Sequence, residues 1–381
     1  MHFSPSEEQL ALHDETVEFA RAELGAGLRE HDRAGEFPLE DWRKCGARGV
    51  LGSHVPRRYG GRELDAVSTV LLLEAIGYGC RDNGLTLALG GQMWSVQEPI
   101  LTYGSEEQKR RWLPGLCSGE LIGAHGVTEE GSGSDALSLE TTAERSSGAY
   151  VLNGRKSYIG MAPAADLALV LASTDREAGR WGVSAFVVEK GTPGFSQSPA
   201  RPKTGTRTNP LGDLILEDCR VPEENLIGRE GLGVSLFTHT ICWERAFIHA
   251  GHLGSMRALF ERCVDHVRER RQFDRPIGSF QSVSNRIADM RLRLETSRLL
   301  MYKVAAMKDR GEDAGLECAM ANLHISESLL RCATDAVRLH GARGYLEEFE
   351  VERELRDALG GVIYAGTSDI QRNLIASFLG L

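Results

Sequence analysis

The hydrophobic and polar positions of this chain divide it into three stretches. From Ser6 to about Ser118 the pattern is helical, because Ser6 can cap a run that begins with glutamates and segment 71–76 continues a strong helix former. Within this stretch Gly104 ends one predicted helix and Ser105 caps the next. The first stretch therefore predicts an α-helical domain, with bounds at residues 1–121.

The pattern changes to short β-type runs in the second stretch, where glycine, proline, asparagine and aspartate separate the apolar segments. The clearest runs are 167–171, 183–188 and 214–216. Asn153-Gly154 is typical of a type I′ hairpin turn, since both residues tolerate positive φ. These features predict a small β domain at residues 122–229.

The third stretch is helical again from Leu232 onwards, and one face of a long predicted helix within it is apolar. That face carries Ile287, Met290, Leu294, Met301 and Val304. An apolar face of this kind predicts packing in a helical bundle, here at residues 230–381. The chain as a whole is predicted to be mainly α, with a central β domain.

Composition and charge narrow the function classes. The chain has 381 residues, 41% of them hydrophobic, and a net charge of -10, which argues against a general binder of nucleic acid or anionic membranes. We expect a cytoplasmic protein with no membrane span, because no segment is apolar for long enough to cross a bilayer. The eight cysteines form no C-x-x-C pair, so we expect free thiols. His249 and His252 have metal-like spacing, but no nearby carboxylate or cysteine completes a set, so we expect no metal.

The loop Gly126–Asp135 combines glycines, hydroxyls and acids in a short space. Glycines let a backbone approach a ligand closely, and successive N–H groups can form a concave anion site; on composition alone a flexible surface turn is an equal alternative. The motif, extended to Ser138, resembles the first signature of the acyl-CoA dehydrogenase family. The resemblance implies a flavin cradle, with Thr128 near the isoalloxazine ring, Ser134 near the pyrophosphate and Tyr158 as the aromatic residue against the flavin.

Glu244 is a single carboxylate in an apolar segment predicted to be helical. The residues at 237, 241, 248 and 251, which would share its helical face, are Phe, Ile, Ile and Gly. Burial among them raises the pKa of a carboxyl group, as a general base at neutral pH requires. The alternative is a structural glutamate paired with a distant arginine.

The segment from Ile363 to Arg372 resembles the second conserved region of the same family. In the medium-chain type the residue before Gly-Thr is the catalytic glutamate, whereas here it is Ala365. Isovaleryl-CoA and long-chain members instead carry the base on a helix, followed by arginine, and Glu244-Arg245 matches this arrangement. The resemblance implies that Glu244 takes the α-proton and that the Ala365 backbone N–H polarises the thioester carbonyl.

The resemblance also assigns residues to the thioester and to FAD. Arg245 is assigned to the substrate thioester and Thr367 to the cofactor. Two further positions, Arg270 and Gln281, match those that hold FAD from a neighbouring subunit, which implies a homotetramer. Phe273 is also assigned to the cofactor. Arg338 stands where the family usually has glutamine; it is assigned to the FAD phosphates, with a solvated helix end as the alternative.

The resemblance spans essentially the whole chain. It implies the acyl-CoA dehydrogenase fold, with N-terminal helices, a β-barrel-like domain and a C-terminal four-helix bundle, and FAD-dependent α,β-dehydrogenation of an acyl or aminoacyl thioester. Trp243-Glu244 and the segment 280–295 resemble natural-product dehydrogenases of the prolyl-carrier-protein type, which implies a substrate on an acyl or peptidyl carrier protein. The alternatives are an ordinary short- or branched-chain acyl-CoA dehydrogenase, a flavin oxidase or monooxygenase, and a non-catalytic flavin-binding subunit.

Two partners remain to be assigned. The electron acceptor is either an electron-transfer flavoprotein or O2. An acidic carrier protein needs a basic surface for docking, and a group of arginines near the bundle is the candidate. These are Arg257, Arg262, Arg268, Arg271 and Arg275.

Overall fold

The computed structural model describes residues 5–381 and begins with a set of N-terminal helices. They are α1 (Glu7–Glu23), α2 (Leu28–Ala34), α3 (Leu39–Ala47), α4 (Ala66–Cys80), α5 (Asn83–Gly90), α6 (Glu98–Tyr103) and α7 (Glu106–Ser118). Both predicted caps are confirmed, since the Ser6 and Ser105 hydroxyls accept from the N–H groups of Gln9 and Gln108, each at 3.2 Å. Gly104 ends α6, as predicted.

Between α5 and α6 the chain is π-helical over Gly91–Gln97. Six of its residues are buried, from Gln92 to Gln97. π-Helical turns are rare and often occur at functional sites. This segment forms one wall of the candidate site described below.

The central domain is built on one sheet. Its strands are β1 (Gly123–Gly126), β2 (Thr142–Ser146), β3 (Ala149–Gly160), β4 (Leu167–Ser173), β5 (Val183–Glu189), β6 (Phe195–Gln197), β7 (Leu211–Pro222) and β8 (Leu226–Ile227). The strand order is β6-β7-β3-β2-β4-β5-β8, and β1 pairs with β4 in parallel. The three apolar runs lie in β4, β5 and β7, so their prediction as strands is confirmed.

The predicted hairpin turn at Asn153-Gly154 is wrong, because both residues lie inside β3. The turn between β2 and β3 is at Ser147 and Gly148, whose φ values of 44° and 74° suit a type I′ turn. The pairing of β3 with β7 shifts at Gly154, where a side chain would meet the Thr141 hydroxyl at 2.4 Å. Asn153-Gly154 therefore forms part of a β-bulge, where only glycine allows the close contact with Thr141.

The C-terminal part is helical, apart from a short β9–β10 ribbon. Its elements are α8 (Gly233–Phe247), α9 (Ala250–Glu269), β9 (Arg271–Gln272), β10 (Arg275–Pro276), α10 (Gln281–Asp309), α11 (Gly315–His340), α12 (Ala342–Tyr345), α13 (Val351–Gly361) and α14 (Ser368–Phe378). The predicted apolar face of α10 is buried at Met290, Leu294, Met301 and Val304. Across residues 5–381, the structure has no helix with the length and apolar character needed to span a bilayer.

Helix α4 packs directly on α9 through glycines. A Cβ on Gly77 would lie 1.9 Å from the Gly251 carbonyl oxygen, and a Cβ on Gly254 would lie 2.0 Å from that of Glu74. Only glycine allows the two backbones to approach so closely. The contact joins the N-terminal helices to the start of the bundle, next to the end of α8.

Candidate active site

Glu244 lies in the last turn of α8, and its side chain is 17% exposed. Burial raises the pKa of its carboxyl group, while Ser95 and Arg245 oppose that shift. Among residues 5–381, no arginine lies within 4 Å of this carboxylate, so the alternative of an arginine-paired structural glutamate is not supported. Glu244 has the environment of a general base.

The surroundings of Glu244 differ in part from those predicted. Ile248 keeps the helical path of α8, since its N–H donates to the Glu244 carbonyl oxygen at 2.8 Å, whereas Gly251 belongs to α9, beyond the turn at His249. The reason is a break in the helical path at His249, which periodicity alone does not reveal.

Aromatic rings pack at the end of α8, in the same turn of the helix as Glu244. The Trp94 and Trp243 rings stack with centroids 5.7 Å apart, and Phe247 lies 5.2 Å from Trp94. Trp94 comes from the π-helical segment, so this contact brings that segment against the end of α8. Stacked rings of this kind form a rigid apolar wall.

The π-helical wall also carries polar groups without partners. The indole nitrogen of Trp94, the hydroxyl of Ser95 and the side-chain amide of Gln97 are buried and have no hydrogen-bond partner among the described residues. Both ring nitrogens of His54, whose ring lies 4.7 Å from that of Trp94, are also buried without a hydrogen-bond partner among the described residues. Buried polar groups are normally satisfied, so a cluster of unsatisfied ones marks a place where a ligand supplies the partners. None of these residues was predicted from the sequence. The available signal was that Trp94, Ser95 and Gln97 interrupt a helical run that is otherwise mostly apolar.

Ala365 lies in a strained turn before α14, with φ at 56°. The Gln371 side-chain amide donates to the carbonyl oxygens of Ala365 and Gly366, at 3.0 and 2.8 Å, and Thr367 caps α14 by accepting from the Ile370 N–H. The Ala365 N–H donates to no carbonyl oxygen among the described residues. The turn is therefore held by its carbonyls while this N–H stays available.

A buried polar cluster joins this turn to the end of α8. The Nδ1 atoms of His249 and His252 lie 2.9 Å apart, and the His249 ring stacks on Tyr364 at 5.5 Å. The Asn322 amide donates to the Arg245 carbonyl oxygen at 3.3 Å. These contacts bring the helix of Glu244 and Arg245 together with the turn of Ala365 and Thr367.

Thr128 and Tyr158 are brought together in the β domain. The Ser157 N–H donates to the Thr128 carbonyl oxygen at 2.8 Å, and Tyr158, with φ at 61°, leaves its ring 47% exposed. Ser134 is exposed on the same loop as Thr128, and a side chain at Gly131 or Gly133 would meet no atom within 4 Å. The loop thus presents hydroxyls and backbone to open space.

A buried ion pair, which the sequence analysis missed, anchors this loop. The Lys156 ammonium lies 2.7 Å from the Glu129 carboxylate, which also accepts from the backbone N–H groups of Glu140 and Thr141. Burial lowers the pKa of Lys156 to about 8, and the pairing lowers that of Glu129. The loop is therefore a fixed cradle and not a loose turn.

Arg270, Phe273 and Gln281 lie together at one end of the bundle. Arg270 follows α9, Phe273 is in the turn of the β9–β10 ribbon and Gln281 begins α10; the Phe273 ring is 85% exposed. Exposed Arg338 ends α11 at the same end, where the His340 ring stacks on His266 at 4.1 Å. No hydrogen bond or ion pair among residues 5–381 connects this group with Thr128, Ser134 or Tyr158. The predicted cofactor residues therefore form two groups within one chain, one in the β domain and one at this end of the bundle.

The residues present fit FAD. The flavin ring and the pyrophosphate need a flat apolar contact and anion donors, and the exposed Tyr158 ring and the open glycine loop provide these. Arg270 has no acidic partner within 4 Å among the described residues, so its guanidinium is free to meet a phosphate.

Comparison with known proteins gives the same assignment along the chain. Three family models match: the acyl-CoA dehydrogenase N-terminal domain at residues 6–120, the middle domain at 124–219 and the C-terminal domain at 231–380. An L-prolyl-peptidyl-carrier-protein dehydrogenase from Pseudomonas fluorescens is 42% identical over 360 residues, which cover 94% of each chain.

Two solved structures are similar over the same length. The prolyl acyl carrier protein oxidase AnaB has a TM-score of 0.98 and 43% identity, covering 99% of this chain and 100% of its own. PigA, solved with FAD and proline, has a TM-score of 0.97 and 36% identity, with both chains fully covered. The fold, the cofactor and the reaction type predicted from the sequence are therefore confirmed: the chain belongs to the acyl-CoA dehydrogenase family and is an FAD-dependent oxidoreductase that acts on CH–CH bonds.

Proposed function

We propose that this enzyme dehydrogenates an acyl or aminoacyl thioester carried by a carrier protein, with a prolyl group as the leading candidate. The observation that carries the proposal is the unsatisfied polar wall beside Glu244, since a plain fatty acyl chain would leave those groups without partners. The two similar structures and the Pseudomonas relative act on prolyl carrier proteins or bind proline, according to their names, and this supports the same substrate class here.

Glu244 is the proposed base. Its carboxylate takes the α-proton of the thioester, and the pair of electrons left on the α-carbon forms the double bond as the β-hydride departs. Bound FAD supplies the acceptor for that hydride. The Ala365 N–H donates to the thioester carbonyl oxygen and stabilises the charge that develops there. Arg245 is the proposed contact for the thioester arm.

The proposed cofactor contacts form two sets. Thr128, Ser134, Tyr158 and Thr367 hold the flavin and pyrophosphate within one chain. Arg270, Phe273, Gln281 and Arg338 reach the FAD of a neighbouring chain, so the proposed assembly is a homotetramer. The domain bounds proposed for this arrangement are 1–121, 122–229 and 230–381.

We also propose a cellular compartment and an electron acceptor for the enzyme. All eight cysteines are free in residues 5–381, which suits a reducing cytoplasm. FAD reduced in this site would pass its electrons to an electron-transfer flavoprotein or to O2, and the name of the similar oxidase AnaB supports the second.

The proposed docking surface for the carrier is smaller than the sequence suggested. Arg257 pairs with Glu261 at 3.0 Å, and Arg262 is half-buried and donates to the Phe349 carbonyl oxygen. The remaining arginines are exposed. They are Arg268, Arg271 and Arg275.

The test is single-turnover flavin reduction, measured anaerobically by stopped flow, with the prolyl group attached to a carrier protein or to CoA. The carrier-bound form should reduce the flavin at least about tenfold faster at equal concentration, because the docking surface adds affinity. Equal or faster reduction by prolyl-CoA would remove the case for a carrier. Reduction by neither form, with FAD bound, would leave the dehydrogenation proposal without support.

A further inference from the structure

Two polar side chains, those of His125 and Ser95, flank the carboxylate of the proposed base. His125 lies on β1, and its Nδ1 is 3.9 Å from a Glu244 carboxylate oxygen, too far for a hydrogen bond. Ser95 is 2% exposed and lies close enough to the same carboxylate to lower its pKa, but its hydroxyl makes no well-aligned hydrogen bond among the described residues. The Nε2 of His125 is likewise buried without a partner. The base is thus bordered by unsatisfied groups on two different elements.

His125 is neutral in this position. Burial and the nearby Lys156 ammonium lower its pKa to about 4, so at neutral pH one ring nitrogen carries a proton and the other has a lone pair. Ser95 can both donate and accept through its hydroxyl. Together the two residues can meet an N–H group and a nitrogen lone pair without placing a second charge beside Glu244.

The position of these groups fits one part of an aminoacyl thioester. In an α-aminoacyl group, the nitrogen is bonded to the carbon that loses its proton to the base, at about 1.5 Å. Any side chain that recognises this nitrogen must therefore lie next to the carboxylate that takes the α-proton. Ser95 and His125 lie there.

We propose that Ser95 and His125 form a subsite for the α-nitrogen of the substrate and thereby select an α-aminoacyl group over a carbon chain of the same shape. This inference rests on the proposed function and adds to it the residues that recognise the acyl group. Leaving two buried polar groups unpaired penalises an analogue that lacks the nitrogen, and such sites discriminate more strongly than apolar pockets.

The experiment compares prolyl and cyclopentanecarbonyl groups on the same carrier protein, which differ by one NH in place of CH2. The measured quantity is the ratio of their second-order rate constants for flavin reduction. Wild-type enzyme should prefer the prolyl group by at least about 10²-fold, and His125→Phe and Ser95→Ala should each lower the ratio by about tenfold or more. His125→Asn, which keeps a donor and an acceptor, should restore part of the preference.

Folding and flavin content of each variant are checked by thermal melting and by the flavin spectrum. His13→Phe is the matched control, because it removes a buried imidazole from α1 that contacts Asp14 and no residue of the site; the ratio should not change. Titration of the flavin spectrum with L-prolinamide and cyclopentanecarboxamide gives the same comparison without turnover.

The outcomes separate the subsite from the proposed function. An equal loss on both thioesters in His125→Phe and Ser95→Ala would mean that these residues only position Glu244, and would overturn the subsite. A wild-type enzyme that reduces its flavin with both groups at equal rates would overturn it as well. Failure of both groups in wild-type holoenzyme would instead count against the proposed function.

Discussion

Glu244 depends on its surroundings for its chemistry. An exposed glutamate is a weak base, but burial at the end of α8, next to Ser95 of the π-helical wall, destabilises its charged form and raises its pKa. Ala365 complements it, because the turn leaves one N–H without an acceptor. In the proposed mechanism the two residues act at different atoms of the same thioester, so loss of either should affect the rate more than cofactor binding.

Glu244→Gln tests the base directly. The amide keeps the shape and the hydrogen-bonding capacity of the side chain, so FAD content should equal that of wild type. Flavin reduction by substrate should fall at least about 10²-fold, the effect of losing a positioned general base. Near-normal reduction in stopped-flow traces would exclude Glu244 from proton transfer.

The raised pKa of Glu244 predicts a pH profile. Glu244 must be ionised to accept a proton, so kcat/KM should rise with pH through a pKa above 4.5, the ordinary value for this group. The measurement is kcat/KM for flavin reduction from pH 5 upward in wild type, with Glu244→Gln as the control that lacks this limb. A profile flat across that range in wild type would contradict a raised pKa.

At the scale of elements, the crossing of α4 and α9 holds the α8–α9 junction in place. Gly77→Ala would bring a methyl group to 1.9 Å from the Gly251 carbonyl oxygen, which forces the helices apart. We expect a loss of about 1–3 kcal/mol, seen as a lower thermal midpoint. Because α9 begins next to the end of α8, flavin reduction should slow as well.

Gly91→Ala is the matched substitution, since a Cβ there meets no atom within 4 Å and the backbone is helical. Its thermal midpoint should stay at or above that of wild type. Equal stability of the Gly77 and Gly91 variants would show that the helix crossing is not close-packed.

At the scale of the whole molecule, the proposed split of the cofactor site between neighbouring chains links assembly to FAD binding. Light scattering of the purified protein should give the mass of a tetramer with about one FAD per chain, because we propose that Arg270 and Gln281 reach the cofactor of a neighbouring chain. A strictly monomeric flavoprotein would contradict this arrangement.

Arg270→Glu tests the link between chains. Replacing a phosphate-binding charge by its opposite should weaken FAD affinity at least about tenfold, measured by flavin release on dilution. Arg48→Glu, an exposed arginine 3.7 Å from Glu15 on the N-terminal helices, should leave FAD affinity unchanged. Equal affinities in the two variants would remove Arg270 from the cofactor site.

The sequence by itself determined the succession of helices, strands and bundle, because caps and apolar periodicity act over a few residues: Ser6, Ser105 and the buried face of α10 were all predicted. It also pointed to Glu244 through its apolar neighbours and, by resemblance, to the Ala365 backbone N–H as the group that polarises the thioester carbonyl. Local sequence patterns could not predict features that depend on contacts between residues far apart in the chain.

The tertiary structure alone decided the rest. Gly154 sits in a bulge and not a turn because Thr141 packs against it, and the path of α8 breaks at His249, so Gly251 belongs to the next helix. His125 and Ser95 are 30 residues apart in the chain and meet only beside Glu244. A residue's burial and unsatisfied hydrogen bonds depend on which other segments fold against it, and that is why the polar side of this site became visible only in three dimensions.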